Sequence, residues 1–178
     1  MNYFVYDTDF GHICICEKNG AISHIIFGNS PPLLNKKGRR SPVFTLDYRE
    51  TPLIERAAVE LAQYLSGRRT IFDVPLGPEG TTFQKKAWAE MKKIPYGSTC
   101  SLGDLAKALG APRGYRAVVL AHNRNPISIM IPSHRLIDIS QPTQDKGDGS
   151  IRKSLRTLEL QRSAFRHQSQ MNQYQQIG

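Results

Sequence analysis

Residues 81–135 read TTFQKKAWAEMKKIPYGSTCSLGDLAKALGAPRGYRAVVLAHNRNPISIMIPSHR, and the punctuation of this stretch decides the fold. Thr81 with Gln84 three residues on is a capping-box pair, and Phe83, Ala87, Trp88 and Met91 recur at helical spacing. The stretch therefore predicts a helix that buries this stripe and ends at Pro95 and Gly97. Ser101 with Asp104 opens a second, short helix through Leu109, Gly110 supplies a turn, and Pro112 opens a third helix running to about His122. Two short helices joined through a glycine predict a helix-turn-helix, a shape also common in proteins that never touch DNA. Charge placement favours the nucleic-acid reading: Arg113 and Arg116 fall early in the later helix and Arg124 just beyond it. Asn125-Pro126 then turns the chain into an apolar run, 127–131, closed by Pro132.

Upstream, β-rich runs (Ile13, Ile15; Ile22, Ile25, Ile26, Phe27) flank Asn19-Gly20, the dipeptide of a tight hairpin turn. Residues 28–47 hold prolines and a basic cluster, Lys36, Lys37, Arg39 and Arg40, and read as a surface connection. Thr51 before Pro52 is an N-cap with proline at the first helical position, and Leu53, Ala57, Leu61 and Leu65 give that helix a face to lay on the sheet. A proline- and glycine-rich linker, 67–80, contains the domain boundary. The expected fold is α+β: a sheet-and-helix domain over 1–75, a mainly helical domain over 76–166, and a glutamine-rich polar tail, 167–178, with little to bury.

With 178 residues and 39% of them hydrophobic, the chain can build a core of this size. Lys and Arg outnumber Asp and Glu 24 to 15, a formal charge of +9 that favours polyanionic partners. No apolar run approaches the roughly 20 residues of a membrane span, and the amino terminus lacks a signal-peptide pattern, so the expected setting is the cytoplasm, with the nucleoid, or the nucleus. Cys14, Cys16 and Cys100 do not form the even set of a disulfide-stapled domain. Cys14 and Cys16 alternate along a strand and share one face; a metal there would have to recruit His12 or His24, and burial is the simpler reading.

From Phe83 to Arg135 the sequence resembles the O6-alkylguanine-DNA alkyltransferases, the methylated-DNA-protein-cysteine methyltransferases. The resemblance rests on Ile94-Pro95-Tyr96-Gly97, Leu105-Ala106, Arg116-Ala117-Val118, Asn125-Pro126 and Ile131-Pro132-Ser133-His134-Arg135, in one order and spacing. It implies a recognition helix in the minor groove, an inserted arginine that replaces an extruded nucleotide, and a damaged guanine swung into a pocket beside a nucleophile. Arg116 matches the inserted arginine. Arg113, Arg124, Arg135 and Ser101 become further DNA-contact candidates. In the family a water-linked histidine and a glutamate lower the pKa of the reactive thiol. His134 matches the histidine, Glu159 the glutamate and Asn125 the asparagine that ties the turn together.

At the nucleophile position stands Ser133, whose hydroxyl remains protonated near neutrality and needs stronger base activation than a thiol. Transfer is therefore expected to be lost or very slow. A hydrolytic Ser133–His134–Glu159 triad is disfavoured, because neighbours in an extended turn point apart. Leu102 stands where the family commonly has a tyrosine, and with Pro132 and Ile131 is expected to line the lesion pocket. The family's Tyr-Ser-Gly-Gly stretch is replaced in the region 143–150 (TQDKGDGS). Three readings follow. The first is a module, resembling the alkyltransferase-like group, that flips and holds O6-alkylguanine in double-stranded DNA and hands it to nucleotide excision repair proteins. The second is a suicidal methyltransferase inactivated by a cysteine-to-serine change, and the third a helix-turn-helix regulator. A monomer without cofactor or metal suffices for each.

Overall fold

The structure is a computed structural model that describes residues 1–8, 11–27, 46–138 and 149–175, with the side chains of 149–150 and from 166 onward excepted. The basic cluster at 36–40 and most of the 143–150 stretch lie outside the described residues. Strands β1 (Asn2–Thr8), β2 (Gly11–Lys18), β3 (Ala21–Phe27) and the short β4 (Asp47–Tyr48) form one sheet in the order β3-β2-β1-β4. The first three strands are antiparallel, and β4 joins the edge of β1 in parallel. Asn19 (φ 53°) and Gly20 (φ 73°) make the β2–β3 turn, as the dipeptide predicts, because both central residues of such a turn need positive φ. Ile13 and Ile15 point from β2 into the main core, while Cys14 and Cys16 share the other face, also buried, with sulfurs 3.9 Å apart.

Helix α1 (Pro52–Leu65) starts at Thr51, whose hydroxyl accepts from the Ile54 N–H at 3.2 Å. It lays Ile54, Ala57, Leu61 and Tyr64 into the core, so the buried stripe contains a tyrosine as well as aliphatics. The linker expected after it is held in place. The Ile22 N–H donates to Pro75 O at 2.8 Å and the Gly77 N–H to Ile22 O at 2.8 Å, while buried Glu60 accepts from the Asp73 N–H at 2.8 Å. These bonds fasten the linker to β3 and α1.

Helix α2 (Thr82–Met91) begins with the full Thr81/Gln84 capping box. Helix α3 (Leu102–Ala108) is capped by Ser101, and Gly110 (φ 67°) makes the turn that follows. Helix α4 is Tyr115–Asn123, not a helix opened by Pro112. The Gly114 N–H closes a tight turn on Ala111 O at 2.7 Å, and Gly114 O accepts the first helical bond, from Val118 at 3.0 Å. Arg113 therefore lies in the turn before the helix rather than in its first part. The only tryptophan, Trp88, clamps α4 onto α2 through its indole N–H, which donates to Ala121 O at 2.9 Å.

Strands β5 (Cys100–Ser101) and β6 (Leu136–Ile137) form a short parallel pair. The last helix, α5 (Gly149–Gln175), runs beyond His167, where the sequence predicted a frayed tail. Its Gln, Met and Ser residues are acceptable helix formers, and no proline follows to break it. No helix of the described residues is long and apolar enough to cross a membrane.

Candidate functional site

The apolar run 127–131 carries the chain from the sheet to the site. Ile127 bridges Ile25 of β3, and the Ile25 N–H donates to Pro126 O at 2.8 Å. Ile129 sits at φ 73°, a conformation costly for a β-branched residue, and the neighbouring bonds hold it there: Met130 N–H to Ser128 O at 3.0 Å and Ile131 N–H to Ile127 O at 3.0 Å. The turn that follows is one 3-10 turn over Ser133–Arg135, not the extended segment expected from the sequence. It closes because the Arg135 N–H reaches Pro132 O at 3.0 Å.

Asn125 organises this turn. Its side-chain amide donates to Ile131 O at 2.8 Å and to Ser133 Oγ at 3.2 Å, and its Oδ1 accepts from the Ile127 N–H at 3.1 Å. His122, which the sequence reading did not single out, comes from the end of α4 and places Nε2 3.0 Å from Ser133 O. Burial, with Arg152 and Arg156 nearby, pushes His122 down to about 4. It is neutral at physiological pH, and the carbonyl partner fixes Nε2 as the protonated nitrogen.

Below Ser133 lies a buried polar cluster. His134 Nε2 is 2.6 Å from Glu159 Oε1, and the guanidinium of Arg135 donates to the same carboxylate at 2.9 Å (Nε to Oε2) and 3.1 Å (Nη2 to Oε1). Arg135 also donates to Ile94 O at 2.6 Å, and the Gly97 N–H donates to Glu159 Oε2 at 3.0 Å. Gly97 is required here twice over: its φ is +75°, and an added Cβ would come within 2.6 Å of Ser163. Tyr64 of α1 completes the cluster, its hydroxyl donating to Glu159 and lying 3.2 Å from His134 Nε2.

Burial first, then the charges of Arg135, Arg156 and Arg152, pushes His134 down to about 3. Burial pushes Glu159 up to about 7, against the Gly97 N–H, which holds it down; the Arg135 ion pair also favours the carboxylate. Arg135, itself lowered by burial to about 10, remains cationic. The cluster at neutral pH thus contains a guanidinium, a carboxylate acceptor and a neutral imidazole that donates from Nε2. The other ring nitrogen, Nδ1, is buried without a hydrogen-bond partner. His134 and Ser133 share the wall of a cavity of about 10 Å³ with Phe27, Ser128, Ile129, Ile151, Arg152 and Leu155. That is room for about one water.

Other sequence candidates fall elsewhere. Arg135, expected to contact DNA, is buried beneath the turn, because the 3-10 backbone aims its side chain inward at Glu159. Leu102, Ile131 and Pro132 are buried, and none of them lines the cavity beside Ser133; Leu102 and Ile131 belong to the apolar core. Ser101 is occupied as the cap of α3, accepting from the Asp104 N–H at 3.0 Å and donating to its carboxylate at 2.7 Å. Arg113, Arg116 and Arg124 are exposed: Arg113 in the turn before α4, Arg116 in its first turn and Arg124 as its C-cap. Tyr64 carries a weak signal in the sequence, since it lies on the helical stripe of Ala57 and Leu61. Its polar partners His134 and Glu159, 70 and 95 residues away, do not.

The class this arrangement defines is an α+β protein with a sheet-and-helix unit joined to a helix-turn-helix, and a buried His–Glu–Arg cluster under the turn that follows. Residues 1–78 match the ribonuclease-like domain of 6-O-methylguanine DNA methyltransferase, and residues 82–163 match its DNA-binding domain. The methylated-DNA-protein-cysteine methyltransferase of Methanosarcina barkeri is 39% identical over 138 residues, 77% of this chain and 82% of the relative. The constitutive enzyme of that name from Bacillus subtilis is 35% identical over 138 residues, 77% of this chain and 81% of its own. Among solved structures, Mycobacterium tuberculosis OGT in complex with DNA aligns with a TM-score of 0.76 and 30% identity, covering 91% of this chain and 94% of that one. The chain belongs to the O6-methylguanine-DNA methyltransferase family of DNA-repair alkyltransferases and carries its DNA-binding domain.

Proposed function

We propose that this protein binds duplex DNA through α3 and α4, turns an O6-alkylated guanine out of the stack, and holds it without taking the alkyl group. The observation that carries this reading is Ser133 itself: its hydroxyl accepts from Asn125, and the residue lines a one-water cavity together with His134. Alkyl transfer is an in-line displacement: a nucleophile attacks the carbon on guanine O6, the C–O bond breaks, and the proton goes to the departing base. A cysteine, with an ordinary pKa near 8.5, can surrender its proton through a water to a histidine backed by a carboxylate. A serine hydroxyl is a far weaker acid than a thiol, and a neutral imidazole that can relay the proton of a thiol through a water does not ionise it.

Flipping has its own support. An alkyl group on O6 lies inside the stack, and unstacking costs a few kcal/mol that an inserted side chain can offset. Arg116, exposed at the second position of α4, has the length and charge for that role.

Two measurements test the proposal together. A labelled duplex with one O6-methylguanine is titrated beside its undamaged counterpart at stated salt; tighter binding of the lesion duplex is expected, and equal affinities reject lesion recognition. Duplex carrying isotopically labelled methyl groups is then incubated with the protein and with Ser133→Cys. Label on the serine protein overturns the non-transferring reading. Label on the cysteine variant alone identifies position 133 as the acceptor position.

A further inference from the structure

Between the end of β1 and helix α1 lies a groove of about 530 Å³, a volume within the range of small-molecule sites. Buried Ile13 and Ile15 of β2 and Leu61 of α1 line it from the core side, and Ala58, Ala62 and Leu65 of α1 line it along the helix. Val59, 51% exposed, stands at its lip. None of these residues borders the cavity at Ser133, and the DNA-binding reading makes no use of them.

The hydroxyls at its edge have spent their hydrogens. That of Tyr6 donates to Glu50, that of Thr8 to Gly11 O at 2.7 Å, and that of Ser66 to Gln63 O at 3.0 Å. A hydroxyl has one hydrogen and two lone pairs, so each is left able only to accept, and a ligand must bring the donors. Charge points the same way. No lysine or arginine is among the lining residues, and burial, then Glu50 and Glu55, pushes the Tyr6 hydroxyl above the ordinary tyrosine value. We infer that this groove binds a small apolar amine, its hydrocarbon body against Ile13, Ile15 and Leu65 and its ammonium at the Tyr6 edge. There the ammonium supplies the missing donors, meets the Glu50 carboxylate and has the Tyr6 ring as a cation–π surface. The chain as a whole carries a formal charge of +9 and draws anions, so a preference for the amine is a property of the groove and not of the bulk surface.

The experiment titrates the full, isotopically labelled chain with phenylbutylamine, phenylbutanol and phenylbutyrate at pH 7 and follows backbone amide shifts by NMR. The three probes share one hydrocarbon body and differ in charge. The amine is expected to bind with a Kd on the order of a millimolar, the affinity of about a dozen non-hydrogen atoms, and to shift the amides of β1, β2 and α1. The alcohol should bind about three- to fivefold more weakly, and the carboxylate more weakly still. Glu50→Gln keeps an acceptor for Tyr6 but loses the charge, so it should bring the amine down to the level of the alcohol and leave the alcohol unchanged. Ala62 is exposed, so Ala62→Phe can fill the groove without entering the core and should abolish binding of the amine. The spectra themselves report whether each variant is folded, and the comparison of probes needs only the unsubstituted chain. A carboxylate that binds as tightly as the amine, or amine-induced shifts that fall outside β1, β2 and α1, overturns the inference. So does a folded Ala62→Phe protein that binds the amine within about twofold of the parent.

Discussion

The Tyr64 hydroxyl, at the end of α1, donates its hydrogen bond to Glu159 in the middle of α5, joining the amino-terminal unit to the carboxylate beneath the Ser133 turn. Glu159 thus receives donors from four residues on three segments: Tyr64, Gly97, and the adjacent His134 and Arg135. Replacing one donor and replacing the carboxylate should have different costs. Tyr64→Phe removes one bond to a charged acceptor, an expected loss of about 2 kcal/mol. Glu159→Gln leaves the Arg135 guanidinium buried without its counter-charge, an expected loss of about 3–5 kcal/mol. Urea unfolding followed by the fluorescence of the single tryptophan checks both, and a Glu159→Gln protein as stable as the parent would contradict the ion-pair assignment.

Acid should destabilise the fold through its two buried histidines. Unfolded histidines titrate near 6.5, while His122 is lowered to about 4 and His134 to about 3 in the folded chain. Between those values the unfolded chain binds more protons, so stability falls as pH drops below 6.5 and goes on falling to about 4 for His122 and about 3 for His134. His122→Gln retains a donor for Ser133 O and cannot titrate, so it should flatten the acid limb by on the order of 3 kcal/mol. Unfolding midpoints measured from pH 7 to pH 4 that coincide in slope with the parent would exclude His122 as a source.

Asn125→Ala should loosen the turn more than the fold. It leaves Ile131 O and Ser133 Oγ without their common donor and the Ile127 N–H without an acceptor, at an expected cost of about 1–3 kcal/mol. Amide hydrogen exchange should quicken at residues 127, 131 and 133 while the protection of β2 is unchanged. Uniform quickening across the chain would mean that Asn125 supports the whole fold.

Arg116→Ala should separate docking from flipping. With 2-aminopurine placed beside an O6-methylguanine, the fluorescence rise on binding should fall sharply, with only a modest loss of affinity for undamaged duplex. An unchanged rise rejects Arg116 as the inserted residue.

Arg135 and Arg116 show where sequence and structure divide. Both read as basic residues near a DNA-binding helix, yet one is sealed under the 3-10 turn against Glu159 and the other is exposed on α4. Local chemistry was legible in the chain. The Asn19-Gly20 turn, the Thr51 and Thr81 caps and the α2 stripe follow from backbone preferences and periodicity within a few residues, and the α+β class follows from their order. The start of α4 lies three residues beyond Pro112, because Pro112 and Gly114 both offer acceptable openings and only the closure of Gly114 on Ala111 chooses between them. The order Asn125, Ser133, His134, Glu159 was readable as a motif. That Tyr64 and His122 join those residues, and that His134 Nδ1 is left buried without a hydrogen-bond partner, depended on packing α1, α4 and α5 around a single turn. Helix and turn formation are decided by neighbours in sequence, whereas the partners of a buried charge are decided by whatever the fold brings within 3 Å of it. The sequence by itself therefore determined the elements, the family resemblance and the serine at position 133. The tertiary structure alone decided which arginine faces solvent and which is consumed in holding Glu159.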